Sequence, residues 1–353
     1  MLKFNYRIVT ISFFFCFICN CSCATVNNRY KVDKVIDLQG DTLNLPENSI
    51  LCFEGDGEIS NGTINGNKTQ IEGCRIGIFR DVDIAGTWNV PMITSDMFYN
   101  ANKINCIKEL FDLASPHLHN TIILSPGEYK VSIDEEWGTA LSVVSNTDLI
   151  INGIITLMPN RNKGYQIVNV SGNNIKVYGR GTIVGDKDTH LAEDGEWGMG
   201  INISSGNNIN ISDIDIKKCW GDCIYVGRNS NNVEINNCRL DHGRRQGISI
   251  TSGDNIVVKN CIITNVSGTS PEYGIDIEPN INEVVGSVFI KNVAVYNCGG
   301  GFASWCGAKN SRIGYIEIEN CTVEGVPDKR AYDWYKSTPV KIKNCLYSGN
   351  IVR

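Results

Sequence analysis

Asp276 and Glu278 stand two residues apart in the run Tyr273-Gly274-Ile275-Asp276-Ile277-Glu278. In an extended strand that spacing puts both carboxylates on one face, with roots ~6.6 Å apart. Paired carboxylates suit glycoside hydrolysis: one protonates the leaving oxygen while the other activates water or attacks the sugar. A separation of ~6.5–9.5 Å favours inversion of configuration. Like charges this close also raise one pKa, as an acid catalyst requires. Asp222 is a third candidate. Arg244, Arg245 and Gln246 precede the neighbouring strand, Gly247-Ile248-Ser249-Ile250. Each acid taken singly also fits ordinary solvated surface; three acids and two arginines on adjacent strands favour a site. Upstream, the segment from Gly185 to Gly198 adds His190, Glu196 and Trp197, and Trp220 follows. Trp197 and Trp220 offer flat faces to a sugar ring, or equally plug turns. His190 and His242 are candidates for proton transfer, or else histidines held in a turn.

The elements that must carry these side chains are short strands. Six cysteines close a recurring phrase, Lys218-Cys219, Asn237-Cys238, Asn260-Cys261, Asn297-Cys298, Asn320-Cys321 and Asn344-Cys345. Their separations are 19, 23, 37, 23 and 24 residues. A period of roughly 20–30 residues is the mark of a solenoid in which each coil is one repeat. The long interval predicts one insertion, around Asn280 to Ser287. Within each coil, alternating apolar residues run into a Gly/Asn/Asp/Ser turn and then into a second strand, the strand-and-turn signature. Ile201, Ile224, Ile248, Ile275 and Phe302 line up as one inward column, and Ile203, Val226, Ile250 and Ile277 as the next. The Cys phrase predicts a single column of buried, unpaired thiols. The residues in between face out: Asn202, Tyr225, Ser249 and Asp276, with Thr251 beside Glu278. Asp222, Gln246 and Tyr273 fall at the coil corner, and Asp222 lies two coils from Asp276, ~9–10 Å along the axis.

The whole chain frames this repeat. Its 353 residues are 42% hydrophobic and 20% charged, with net charge −6, which gives no basic face for nucleic acid. Lys3 and Arg7 precede an apolar run from Ile8 to Cys19, too short for a membrane span and suited to an export signal. Ser22-Cys23-Ala24 reads as a cleavage site, and Cys19, Cys21 and Cys23 leave a lipid-anchored start equally open. The protein is therefore expected to be secreted or a cell-surface or outer-membrane lipoprotein, touching membrane at most through a lipid anchor. The expected organisation is a signal at 1–24, an N-terminal cap with first coils at 25–100, and the solenoid at 101–353. One amphipathic helix, around Ala101 to Leu113, is expected to cap the open end of the coils.

The run Trp220-Gly221-Asp222-Cys223-Ile224-Tyr225-Val226-Gly227 resembles the pectin-lyase-like superfamily of right-handed parallel β-helices. Within it the likeness is to polygalacturonase-like glycoside hydrolases of family 28. Those carry an Asp-Asp-Cys-Ile/Val phrase, and Asp222 matches its second Asp. The resemblance covers most of the chain beyond about residue 100 and is strongest from Gly181 to Asn280. Pro126-Gly127-Glu128-Tyr129 is similar to the entry coil of pectate-lyase-superfamily and tailspike helices. The departures are specific. The family's first Asp is Gly221, its Asn-Thr-Asp is Gly198-Met199-Gly200, its Gly-His-Gly is Arg245-Gln246-Gly247, and its Arg-Ile-Lys is Asp276-Ile277-Glu278. Only Asp222 carries over, so the resemblance implies the fold and a glycan partner without polygalacturonase activity, and a neutral or differently charged sugar.

The expected fold class is all-β, a right-handed single-stranded parallel β-helix with an N-terminal cap and one short capping helix. The expected function is cleavage of a polysaccharide by hydrolysis, with Asp222, Asp276 and Glu278 as catalytic carboxylates. His190, Glu196, Trp197, Trp220, Arg244, Arg245 and Gln246 would bind substrate, with no metal or cofactor. Two rivals stay open: a polysaccharide lyase with Arg245 as base and calcium in the acidic cluster, and a glycan-binding surface protein without catalysis.

Overall fold

A computed structural model describes residues 28–99, 106–336 and 338–352. The export segment lies outside the described residues. From residue 92 onward the strands form three long sheets in which every third strand of the chain is a neighbour. Each coil thus gives one strand to each sheet. The pairing is parallel except for the last pair, Leu346–Tyr347 with Asn350–Ile351. The sheet that bears the candidate acids, called the site sheet below, has eight strands. They are Thr139–Val143, Gly164–Val170, Trp197–Ser204, Ile224–Gly227, Ile248–Ile250, Tyr273–Ile277, Gly300–Ser304 and Tyr332–Trp334.

Coils close on themselves because alternation supplies an apolar inner face at every strand. The Ile201, Ile224, Ile248, Ile275 and Phe302 column is in register. So is the column of Ile203, Val226, Ile250 and Ile277, and all nine side chains are fully buried. Each such side chain contributes ~1.5–3 kcal/mol over its exposed state. The residue before each phrase cysteine makes the corner. Lys218, Asn237, Asn260, Asn297, Asn320 and Asn344 all have φ between 51° and 58°, a left-handed conformation that Asn tolerates better than most residues. Asn side chains then bond from coil to coil, as in Asn260 Nδ2 to Asn236 Oδ1 at 2.9 Å and Asn292 Nδ2 to Asn260 Oδ1 at 3.0 Å.

The cysteines are buried free thiols, as expected, but they occupy two columns. Cys238, Cys261, Cys321 and Cys345 precede a strand of the third sheet, whereas Cys219 and Cys298 follow one. Val293 fills the first column between Cys261 and Cys321, and Gly243 and Val266 fill the second. Coil length therefore has to be read from strand register. Asp241 pairs with Thr264, 23 residues on; Ile248 with Ile275, 27 on; Gly253 with Val285, 32 on. Two insertions flank the Tyr273–Ile277 strand: four residues before it, and five after it around Asn280, where the sequence placed one. A third insertion lies between Val184 and Trp197, since Ile183 pairs with Ile216, 33 residues on.

Before the coils, Arg29 to Trp88 form a six-stranded parallel sheet of their own. The described helix is Lys108–Asp112, shorter than the expected 101–113 span, of which residues 101–105 lie outside the described residues. It rests on the strands Phe79–Trp88 and Thr139–Val143 with Ile107, Leu110, Phe111 and Leu113 buried. One apolar cluster runs from Val32 to Cys345. Among the described residues no helix is long and apolar enough to cross a membrane.

Candidate active site

Ile275 and Ile277 point into the core, so Asp276 between them and Glu278 beyond them point out. The outer column is in register from Asn202 through Tyr225, Ser249 and Asp276 to Ala303 and Asp333. These outward residues are far from solvated: Asp222 is 0% and Asp276 4% exposed. The alternative of ordinary solvated surface therefore fits neither Asp222 nor Asp276. Glu278 keeps 37% of its side chain exposed.

Arg245 is the hub. Its guanidinium lies 3.4 Å from Asp222 Oδ2, and 3.8 Å from both Glu278 Oε2 and Glu196 Oε2. Burial works against its charge, but Asp222, Glu196, Asp276 and Glu278 outweigh that and hold its pKa above the usual arginine value. Burial pushes the Asp222 carboxyl up to about 6, against the pull of Arg245. Burial, and then the charge of Glu278, push Asp276 up to about 7. Gln246, fully buried, donates from Nε2 to Asp276 Oδ2 at 2.8 Å and accepts the Tyr273 backbone N–H at 2.7 Å. Asp222 Oδ1, Ser249 Oγ and Arg245 Nε are buried without a hydrogen bond of ordinary geometry, although the Ser249 hydroxyl is near enough to Asp222 to draw its carboxyl down. Buried polar atoms are seldom left unpaired, and here three share one spot.

Asp276 and Glu278 line two hollows at once. One of 570 Å³ spreads over the earlier coils, with Trp137, Trp197, Tyr225 and Arg228 on its walls. The other, of 760 Å³, spreads over the later coils, with Trp305, Asp333 and Tyr335. Both are open, so the pair sits between two halves of one groove. Asp222 lines neither and stands beneath Arg245.

The remaining expected site residues divide. Trp197, at the start of its strand, lines the earlier hollow, and Glu196, at the end of the 185–196 insertion, reaches Arg245. Trp220, expected to meet sugar, is instead sandwiched. Arg244 lies 3.7 Å over one ring contact and His190 stacks at 3.9 Å and 17°, leaving the indole 7% exposed. His190 is buried too, its Nδ1 2.8 Å from Asp186 Oδ2, and Asp186 also accepts the Tyr165 hydroxyl and Asn160. Arg244 donates to the Gly195 carbonyl at 2.8 Å. His190, Trp220 and Arg244 thus contact the insertion or one another, Gln246 holds Asp276, and none of the four lines either hollow. His242 is a turn histidine bonded to Asp241.

Sequence reasoning missed Trp137, Arg228, Trp305 and Tyr335. Trp305 and Tyr335 were findable, since continuing the Glu278 column one strand at a time reaches them. Trp137 lies in a turn with no periodic signal.

A family model described as the right handed beta helix region matches residues 152–323. With the sheet order above, that decides the architecture. The chain is a right-handed parallel β-helix. This is the pectin-lyase-like architecture the sequence resembled. Among curated proteins, YclG of Bacillus subtilis (strain 168) is 31% identical over 179 residues, 45% of this chain. The SPbeta prophage-derived YorA of the same organism is 26% identical over 167 residues, 40% of this chain. The match spans 28% of the length of either relative. Among crystal structures, the polygalacturonase from Erwinia carotovora ssp. carotovora superposes with a TM-score of 0.50 at 14% identity. It covers 73% of this chain and 92% of that one, a likeness of fold.

Proposed function

We propose that this β-helix is an exported carbohydrate-active enzyme that hydrolyses glycosidic bonds of a polysaccharide. The observation that carries the reading is a carboxyl pair, one member raised to about pH 7, at the middle of an open groove. Asp276, still protonated near neutral pH, is the general acid. Glu278, the most open of the acids, is the base or nucleophile. Asp222 acts through others: it anchors Arg245, and its charge helps raise Asp276. The polygalacturonase likeness supports a glycan ligand only at the level of fold. Export rests on the Lys3–Ala24 pattern alone, and free secretion and a lipid anchor fit it equally.

Elimination finds less support. A lyase on this site needs Arg245 to give up a proton, and four carboxylates hold it charged. Glu196, Asp222 and Glu278 also converge on that guanidinium.

Incubation of the purified chain with plant, microbial and host glycans, read by product mass, is the test. Products heavier by one water, with Asp276→Asn and Glu278→Gln each slower by about 10²–10⁴-fold, are expected. Unsaturated products would select the lyase reading. Undiminished cleavage in Asp222→Asn, Asp276→Asn and Glu278→Gln would overturn the assignment.

A further inference from the structure

Two exposed tryptophans stand on opposite sides of the acid pair, and each is laid on a glycine. Trp137, 55% exposed, lines the first hollow. A Cβ at Gly164 would come within 2.3 Å of its six-membered ring. Trp305, 45% exposed, lines the second hollow, and a Cβ at Gly307 would come within 2.4 Å of its ring. Such approaches are closed to any other residue. Each indole is seated against bare backbone and stays about half exposed. Trp137 also holds φ at 61°, a strained value for an aromatic residue and of the kind that clusters at ligand sites.

Each platform has a neighbour. Trp197 lies 5.5 Å from Trp137 at 36°, and Tyr335 lies 6.3 Å from Trp305 at 66°. A soluble protein that exposes large apolar rings at both ends of one groove presents binding surface. The charge between the platforms restricts the ligand. Glu196 adds its charge beside the acid pair, and the Arg245 guanidinium is already shared among three carboxylates. A uronate at the cleavage point would meet like charge beside a committed Arg245, since Arg228 and Lys336 lie out on the walls of the two hollows.

Resting on the hydrolase reading of the same groove, we infer that Trp137 and Trp305 are sugar platforms on either side of the cleavage point. The substrate is an uncharged glycan chain that lies across both and is cut internally. The platforms flank the acids along the helix axis, with strands ~4.8 Å apart: Trp197 is three strands to one side of Asp276, and Trp305 one strand to the other. A disaccharide is too short to touch both.

Calorimetric titration with neutral gluco-, manno-, galacto- and xylo-configured hexasaccharides, their disaccharides, and hexagalacturonate tests this. At least one neutral hexasaccharide is expected to bind, its disaccharide far more weakly. Trp137→Ala and Trp305→Ala should each weaken binding by about tenfold. Gly164→Ala and Gly307→Ala should do likewise by displacing the rings while leaving every carboxylate in place. Asp276→Asn should bind as the wild type does. Binding of hexagalacturonate alone, neutral binding untouched by both tryptophan variants, or no binding at all would overturn the inference. The two readings fail separately. Platform-dependent binding without any product counts against hydrolysis only, whereas galacturonan cleavage lost in Asp276→Asn keeps hydrolysis and removes the neutral chain.

Discussion

The second sheet, which holds Ser230–Asn236, Gly253–Lys259, Val284–Lys291, Arg312–Glu319 and Val340–Lys343, and the site sheet grow from the same coils, yet their outer faces pair charge differently. On the second sheet, charges pair one to one from strand to strand. Lys259 meets Glu234 at 2.7 Å, Lys291 meets Glu319 at 3.0 Å, and Lys343 meets Glu317. All are partly exposed. On the site sheet Glu196, Asp222 and Glu278 share one guanidinium, and Asp222 Oδ1, Ser249 Oγ and Arg245 Nε around it lack an ordinary hydrogen bond. A repeating scaffold balances charge easily because each coil offers a neighbour directly above and below. Imbalance confined to one face therefore marks where the fold serves something other than its own stability.

The sharpest way to break this contrast is to remove one cation from each face. Arg245→Met leaves Asp222 buried beside no counter-charge and should cost about 3–5 kcal/mol of stability at pH 8 in urea unfolding. Lys259→Met on the second sheet should cost under ~1 kcal/mol. Equal losses would erase the distinction. The next effect is pH. Asp276 and Asp222 have folded pKa values near 7 and 6, above the ~3.9 of an unfolded Asp. Between those limits the folded chain holds more protons than the unfolded one, so stability is full near pH 4 and falls as pH rises through 7. At ~1.4 kcal/mol for each pH unit between the folded and unfolded values, the fall should reach at most roughly 7 kcal/mol, and Asp276→Asn should remove more than half of it; a flat urea profile from pH 5 to 8 would contradict the buried-acid picture. Smaller again is the corner. Asn260→Ala, forced to keep φ near 56°, should lose about 1 kcal/mol by thermal melting, and Asn260→Gly less.

Much of the scaffold was legible in the sequence, because its rules are local. Alternation assigned the inner columns residue by residue, and the Asn before each Cys belongs to a corner that needs left-handed backbone. The same alternation put Asp276 and Glu278 on one face and left Asp222 at the corner. The Cys phrase misled, since the motif occurs at two corners of the coil and only pairing register tells them apart.

What the sequence determined by itself, then, was the winding and the direction in which each strand residue points, since both follow from a two-residue period and turn chemistry. Tertiary structure decided what covers those residues. The 185–196 insertion stacks His190 on Trp220 and brings Glu196 to Arg245. Arg245 gathers carboxylates from separate coils, and Trp137 reaches the groove from an unpatterned turn. Burial, charge sharing and pKa depend on segments distant in the chain meeting over one face, and no period in the sequence encodes that meeting.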